Sequence, residues 1–230
     1  MEMIPVAFGS FVAVFTALFP VINPLGDGPI FLNMVQGCSD QVKNKLARSV
    51  SINCFVLLLV SMLIGPQLLM FFGISLPALK LAGGAVVIGM GWGLLNQKSS
   101  SKKGDDDSAG ITDANASSNA FFPLTLPLTT GPGSIATAIS LVAGYQDGKT
   151  LNLLNELPAV IGSVLALLSL SIIIYAIYRE SSVIQRALGP AGTNAVMRLF
   201  AFILMAIGVQ IFLGGAQGFS VQIFDALHTH

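Results

Sequence analysis

Charged residues are scarce in this chain: Asp, Glu, Lys and Arg make up 10% of its 230 residues. Soluble domains carry about 25%, so the chain is too poor in charge to cover a water-facing surface. Its eleven basic and eleven acidic residues also cancel, which argues against a nucleic-acid-binding protein and against an acidic disordered tail. The hydrophobic share of 53% indicates an integral membrane protein that lies in a lipid bilayer.

Cysteine and histidine are nearly absent as well. Cys38 and Cys54 lack CxxC spacing, which favours packing thiols; a membrane dithiol relay would need them close in space. His228 and His230 lie on the extreme tail, so the sequence offers no Ser–His pair and no histidine metal site within the membrane. No second membrane carboxylate accompanies Asp27, as an aspartyl protease would require. We therefore expect no enzyme, no bound metal and no cofactor.

Long apolar runs are what the chain does have. A helix of about 20 apolar residues crosses the core of a bilayer. Six runs are long enough, at residues 7–35, 50–72, 76–95, 120–143, 157–178 and 195–219. They are continuous and do not alternate with polar residues, so they predict an all-α membrane protein with six transmembrane helices and not an outer-membrane barrel.

A polar segment divides the six predicted helices into two groups of three. Residues 97–119 are rich in Ser, Asp, Asn and Gly and predict a flexible cytoplasmic linker. The linker separates a first three-helix repeat, 1–96, from a second, 120–230. Because three crossings is an odd number, equivalent helices of the two repeats run in opposite directions, and we predict a 3+3 inverted-topology repeat.

Prolines and glycines interrupt the first helix of each repeat. Helix 1 contains PVINPLGDGP over residues 20–29, and helix 4 contains PLTLPLTTGPG over residues 123–133. Such segments cannot form a regular helix, and unpaired backbone groups are tolerated inside a membrane only where they face protein or a water-filled cavity. The two matched interruptions predict a solute site between them, with proline kinks that only shape packing as the alternative.

Polar side chains lie in both interruptions. Asp27 is the one acid inside a predicted membrane segment, where it would shuttle a proton or pair with a substrate amine; the alternative is an acid at the level of the lipid headgroups. Asn23 offers a donor and an acceptor without a charge. Thr125, Thr129 and Thr130 bring hydroxyls to the second interruption, with back-bonding to their own helix as the alternative.

Basic residues and aromatic residues orient the helices. Nine of the eleven basic residues flank the connections after helices 1, 3 and 5, whereas Lys80 and Lys149 lie at the other end. The positive-inside rule places the nine in the cytoplasm and both termini in the periplasm. Trp92 and Tyr178, near helix ends, are interpreted as anchors at the membrane interface.

Glycines predict close helix packing within the bundle. A small-residue stripe runs over residues 83–93 of helix 3. Gly89 and Gly93 form a GxxxG pair there, and Gly214 and Gly218 form another on helix 6. Such pairs let two helix backbones approach closely in a membrane.

Four stretches of the sequence resemble the MarC family of bacterial inner-membrane proteins, also called the neutral amino acid transporter family. They are NPLG at 23–26 followed by Pro29 and Phe31, LAGG at 81–84, the spaced PL, PL and GPGSIA over 123–136, and Asn194 with MRL at 197–199. The resemblance covers nearly the whole chain. It implies six membrane helices, external termini and, for some members, transport of small neutral amino acids such as glycine and alanine. Asp27 and Ala201 depart from the residues most common in the family.

The residues and the resemblance together predict a secondary transporter of small neutral amino acids in the bacterial inner membrane, with a proton or sodium as candidate coupling ion. An exporter or channel for another small solute on the same fold is one alternative, and a membrane partner protein without transport activity is the other. The predicted substrate-binding residues are Asn23, Pro24, Gly26, Asp27, Thr129, Thr130, Gly131, Pro132 and Gly133.

Overall fold

The apolar runs of the chain form α-helices, because a helix pairs its backbone N–H and C=O groups within itself where no water is present. The computed structural model describes residues 3–96, 111–143 and 153–228. Within these residues no strand forms, apart from a single bridge between Gly37 and Thr112. The described helices are α1 (Met3–Ile22), α2 (Pro24–Met34), α3 (Asp40–Phe71), α4 (Leu76–Asn96), α5 (Ala116–Asn119), α6 (Pro132–Ala143), α7 (Leu153–Arg179) and α8 (Ser181–His228).

Five of these helices are long and apolar enough to cross a membrane. They are α1, α3, α4, α7 and α8, with membrane-competent stretches at Leu157–Arg179 of α7 and Ser181–Phe224 of α8. A sixth span exists if the bent pair Ala116–Thr129 and Pro132–Ala143, which meet at 68°, counts as one. The prediction of an all-α membrane protein is confirmed, with five spans or six.

Two helices are longer than the hydropathy of the sequence indicates. α3 begins at Asp40, well before residue 50. Its first turns are amphipathic, because Leu46 and Ala47 continue the buried face of the helix while polar residues occupy the outer face. α8 begins at Ser181 and not near residue 195. It is interrupted at Gly189, whose φ of 64° and ψ of 175° suit only glycine, and Pro190 follows.

The main core lies where α1, α2, α3 and α7 surround the segment Ala120–Thr129. Leu18 of α1, Phe31 of α2, Leu58 of α3 and Leu170 of α7 are each buried there. Large apolar side chains also cover the outside of the bundle, as Phe71 does at 81% exposed. An apolar exterior of this kind suits contact with lipid.

α4 and α8 pack closely through glycines, but not through the predicted GxxxG pairs. A Cβ at Gly84 or Gly91 would stand within 3 Å of the α8 backbone, and one at Gly208 would stand within 3 Å of α4. Gly89, Gly93 and Gly214 face open space, and only Gly218 of the two pairs packs, against Pro77. The contact glycines Gly84 and Gly91 are about two turns apart, which places both on the face toward α8.

Connections between successive spans meet at one end of the bundle. The Ser39 N–H donates to Asp113 Oδ1 at 2.8 Å, and the Cys38 thiol donates to the Ile111 carbonyl at 3.4 Å. Residues 179–182, where α7 gives way to α8, border the same depression as the start of α3. The connections after the first, third and fifth predicted helices therefore share one end.

The predicted linker is structured in its last part. Residues 97–110 lie outside the described residues. Residues 111–119 pack against the bundle, since Ile111 and Ala116 are each 5% exposed and belong to the main core. The second group of helices is therefore anchored to the α2–α3 connection before α5 begins.

The two cysteines are free, buried thiols. Cys38 lies before the start of α3, and Cys54 lies along that helix at a rise of about 20 Å from its first residue. This separation excludes a direct dithiol relay and supports the interpretation of both as packing thiols.

Candidate functional site

The chain turns at a single residue between α1 and α2. The Asn23 N–H donates to the Phe19 carbonyl at 3.0 Å and so completes α1. The Asn23 carbonyl accepts from Gly26 and Asp27 at 3.0 Å each and so starts α2. Asn23 adopts the left-handed conformation, with φ 53° and ψ 50°, which asparagine tolerates better than most residues. Pro24 follows as the first helical residue, where its missing N–H costs nothing.

The second interruption is spread over Ala120–Thr129, a π-helical segment that is not regular throughout. Phe122 and Leu126 have extended backbone angles, and each precedes a proline, which disfavours the helical conformation of the residue before it. The peptide bonds from Phe122 to Pro123 and from Leu126 to Pro127 are cis. α6 then begins at Pro132, so both interruptions end in a proline-initiated half-helix.

Threonine hydroxyls stabilise the second interruption. Thr125 Oγ1 donates to the Ala120 carbonyl and Thr129 Oγ1 to the Leu124 carbonyl, both at 2.7 Å. These two threonines therefore bond back to their own segment, as in the alternative interpretation. Each hydroxyl donates to the carbonyl five residues earlier and not to the one four residues earlier. Thr130 differs, because its buried hydroxyl has no hydrogen-bond partner among the described residues.

Both interruptions border one small cavity, here called the central cavity. Its volume is about 20 Å³, enough for about one water molecule. Its apolar wall comes from α4 and α8 and includes Val87, Met90 and Leu204. Its polar wall comes from the interruptions and consists of Asn23, Asp27, Thr129, Gly131, Gly133 and Ser134.

The polar wall carries groups of both signs. α2 and α6 begin at the cavity, where the start of each helix carries a partial positive charge. The Gly26 and Asp27 N–H groups of α2 are paired with Asn23, so the start of α6 is the source of N–H groups for a ligand. The Asn23 amide accepts from the Gly26 N–H at 3.3 Å, whereas its Nδ2 donates to nothing within the described residues. Asp27 is 6% exposed, and no hydrogen bond or salt bridge to its carboxyl is found among those residues. The cavity therefore offers an unused donor and an unpaired acid.

The predicted substrate-binding residues divide into two sets. Asn23, Asp27, Thr129, Gly131 and Gly133 line the central cavity, so the structure brings residues of both interruptions together.

The remaining four predicted residues do not line the cavity. Pro24, Gly26 and Thr130 are buried, and Gly26 lies under the Asn23 amide, with which a Cβ would collide. Pro132 is exposed, so it shapes the start of α6 and is not placed to contact a solute.

Two larger depressions approach the bundle from its ends. The first, here called the vestibule, has a volume of about 270 Å³ and lies between α2, the start of α3 and the junction of α7 with α8. The second, here called the outer crevice, has a volume of about 250 Å³ and lies between α4, α6 and α8, with Lys80 and Gln210 on its walls. Neither shares a lining residue with the central cavity.

A family model described as "MarC family integral membrane protein" matches residues 8–220. The chain belongs to the MarC family.

Several membrane proteins of the same family are similar over most of their length. A UPF0056 membrane protein of Pyrococcus horikoshii is 30% identical over 212 residues, 92% of this chain and 96% of the relative. The UPF0056 inner membrane protein MarC of Citrobacter koseri is 31% identical over 204 residues, 86% of this chain and 90% of the relative. The UPF0056 inner membrane protein MarC of Escherichia coli O1:K1 / APEC is 30% identical over 201 residues, again 86% of this chain and 90% of the relative. No solved structure is significantly similar to the chain.

The sequence of this MarC-family chain did not reveal every residue around the cavity. Tyr178 was interpreted as an interface anchor, but it is 1% exposed and its hydroxyl lies 2.7 Å from Thr129 Oγ1. That interpretation is wrong, because α7 turns this face toward α2 and the second interruption. Trp92, by contrast, is 62% exposed, as an anchor would be.

Ser134 and Val87 were also missed. Ser134 follows the GPG motif directly, so a helix beginning at Pro132 would have placed it in the first turn. Val87 gave no signal beyond helical spacing; it lies so close to Gly133 that a Cβ there would collide with its side chain. Within the described residues no group of three or more His, Cys, Asp or Glu side chains could hold a metal ion.

Proposed function

We propose that this multi-pass MarC-family protein is a secondary transporter of small neutral amino acids such as glycine and alanine, and that it lies in the bacterial inner membrane. The similarity to the inner membrane proteins MarC of Citrobacter koseri and Escherichia coli supports the location in the inner membrane. The central cavity supports the activity. We also propose that the chain has no enzymatic activity.

The observation that carries the proposal is the meeting of two helix interruptions at one small polar cavity. Interrupted helices with their N-termini at a shared site are how several transporter folds bind a solute within the membrane. Asn23 is 3% exposed and its Nδ2 donor is unused, which costs free energy unless a ligand satisfies it. A solute with an acceptor group in the cavity would remove that cost.

The polar wall suits a zwitterion. The carboxylate of an amino acid would accept from Asn23 Nδ2 and from the free N–H groups at the start of α6, where the partial charge of the helix is positive. The ammonium group would pair with Asp27, whose buried carboxylate otherwise has no cation. Val87 and Leu204, both apolar, would face the side chain of the amino acid.

The size of the cavity favours small solutes. At about 20 Å³ it holds one water and no amino acid, so the structure corresponds to a closed state that must expand to bind a solute. A channel would need a continuous path, whereas the central cavity shares no lining residue with the vestibule or the outer crevice. An exporter of another small solute, or a membrane partner protein without transport, would be the interpretation if no amino acid binds.

The inverted repeat and the orientation belong to the same proposal. α2 and α6 each follow an interruption, and each begins with a proline next to a residue that lines the cavity, which supports equivalent roles for the two halves. Opposite orientations of the halves would let the bundle open alternately to either side. The basic residues then favour periplasmic termini, and Asp27 is the candidate site for a coupling proton or sodium ion.

A thermal-shift series on the purified protein tests the proposed site. A ligand that binds only the folded state stabilises it, by about 2.7 kcal/mol at a concentration a hundredfold above Kd. Glycine and alanine should raise the melting temperature, whereas glycinamide and acetate, which each lack one charge of the zwitterion, should not. An equal shift with acetate would show that Asp27 does not contact an ammonium group, and no shift with any amino acid would contradict the site.

A further inference from the structure

Two aromatic rings separate the vestibule from the interior of the bundle. Phe31 of α2 and Tyr178 at the end of α7 stack with centroids 4.3 Å apart and planes at 19°. Each is 1% exposed, yet both border the vestibule, where the neighbouring Arg179 and Glu180 side chains are about half exposed. The pair therefore forms the floor of an open depression.

The other side of this floor is tied to the central cavity. The Tyr178 hydroxyl lies 2.7 Å from Thr129 Oγ1, and Thr129 lines the cavity. Because Thr129 already donates its proton to the Leu124 carbonyl, Tyr178 must be the donor in this contact. One hydrogen bond thus links the floor of the vestibule to the second interruption.

We propose that Phe31 and Tyr178 form the inner gate of the transporter, and that the hydrogen bond from Tyr178 to Thr129 holds it closed. The inference rests on the proposed transport function. A solute in the central cavity would reach the vestibule only when the Tyr178 ring moves away from Phe31. Rearrangement of the second interruption would break the bond and open the gate, so the state of the site would control access to it.

A tyrosine that served only as packing would not border an open depression. Tyr178, although buried, lies between a depression of about 270 Å³ and Thr129, which lines the central cavity. Asp27 and Cys54 lie near enough to its hydroxyl to act on it electrostatically. Removing the ring would join the vestibule to these buried groups.

Cys54 is a native reporter for the gate. It is fully buried on α3 and lies beside Thr130. In a Cys38→Ser background it is the sole thiol of the chain. A membrane-impermeant methanethiosulfonate cation, applied to inside-out and right-side-out vesicles, should label Cys54 slowly while the gate is closed.

Opening the gate should accelerate this labelling from the vestibule side alone. Tyr178→Ala should raise the rate by about tenfold or more, because losing a hydrogen bond and a stacked ring shifts an opening equilibrium by that order. Tyr178→Phe removes only this hydrogen bond and should raise the rate by a smaller factor. Thr129→Val removes it together with the bond from Thr129 to the Leu124 carbonyl, so its rate should be at least that of Tyr178→Phe. The double variant should not exceed Thr129→Val, since its two substitutions delete the same bond between Tyr178 and Thr129.

Tyr175→Ala is the matched control. Tyr175 lies one turn earlier on α7, stands near Arg179, and does not border the vestibule. It should leave the Cys54 rate unchanged. All variants are compared only when their melting temperatures show folded protein, and Tyr178→Phe keeps the ring if Tyr178→Ala does not fold.

The outcomes separate the gate from the transport proposal because labelling needs no solute. Faster labelling of Tyr178 variants without any amino acid flux would keep the gate and reject the transporter. The gate would be rejected, and the transporter kept, if amino acid flux is observed but Cys54 labelling does not respond to Tyr178 substitutions or responds equally to Tyr175→Ala. The same conclusion would follow if the effects add in the double variant or if labelling accelerates from the opposite side of the membrane.

Discussion

The Asn23 amide lies directly over Gly26, so a Cβ at position 26 would stand 2.8 Å from Asn23 Cγ and Oδ1. Glycine at 26 is thus a steric requirement for the rotamer that places Asn23 in the wall of the central cavity. The Gly26 N–H also donates to Asn23 Oδ1, which leaves Nδ2 as the free donor.

Gly26→Ala should therefore displace the Asn23 amide. We expect loss of the glycine-induced rise in melting temperature and a decrease in stability of about 1–3 kcal/mol from overpacking. Gly89→Ala is the control, because Gly89 faces open space on α4 and does not line the central cavity. Equal loss of binding in both variants would show that the Asn23 contact is not the cause.

Substitutions at Asn23 should separate its backbone role from its amide role. Asn23→Gly keeps the left-handed conformation without strain, whereas Asn23→Ala adds about 1–2 kcal/mol of strain there. We expect the glycine variant to be the more stable of the two in thermal melts, while both lose glycine binding. Asn23→Asp keeps the shape but loses the Nδ2 donor, so it should fold and fail to bind; retained binding would mean that the donor is not used.

The spacing of glycines between α4 and α8 predicts which substitutions the bundle tolerates. Gly84→Ala and Gly91→Ala would press a Cβ against the backbone of α8 and should each lower stability by about 1–3 kcal/mol. Gly89→Ala and Gly93→Ala face open space and should be neutral or stabilising, since alanine favours a helix by about 1 kcal/mol over glycine. Thermal melts in detergent measure all four, and destabilisation by Gly93→Ala would contradict the observed helix face.

Asp27→Asn should remove the partner of the substrate ammonium. We expect glycine to bind about tenfold more weakly, which corresponds to about 1.4 kcal/mol, and any dependence of uptake on a proton or sodium gradient to disappear. Asp40→Asn is the matched acid, because Asp40 is exposed and pairs with Lys43 at 3.3 Å on the vestibule wall. It should leave both properties unchanged, and a loss of gradient dependence in Asp40→Asn would remove the special role of Asp27.

Much of the architecture was predictable because the bilayer dictates it. Apolar runs of sufficient length must be helical, and polar residues among prolines and glycines must be shielded, so both the spans and the region of the site follow from local sequence. Asn23 and Gly131 could be placed at one site for this reason. The positions of the helix interruptions also follow closely from Pro24 and Pro132.

Contacts between distant segments were not predictable from local sequence. Tyr178 points inward because of the way α7 packs against α2. The sequence near the end of a helix does not specify that packing. The same holds for Gly91 and Gly93, which lie on one helix but on different faces, and only Gly91 meets α8. Ile111 was assigned to a flexible linker because its neighbours are polar, although it is buried in the main core.

Counterflow in proteoliposomes measures the central claim most directly. Vesicles that contain the purified protein and are preloaded with unlabelled glycine or alanine should accumulate external labelled glycine transiently and saturably. Gly89→Ala should behave like the parent protein, and Asn23→Asp should show no counterflow. A flux that does not saturate, or no flux of any neutral amino acid from vesicles in which the protein is folded, would contradict the assignment of a transporter whose site is the central cavity.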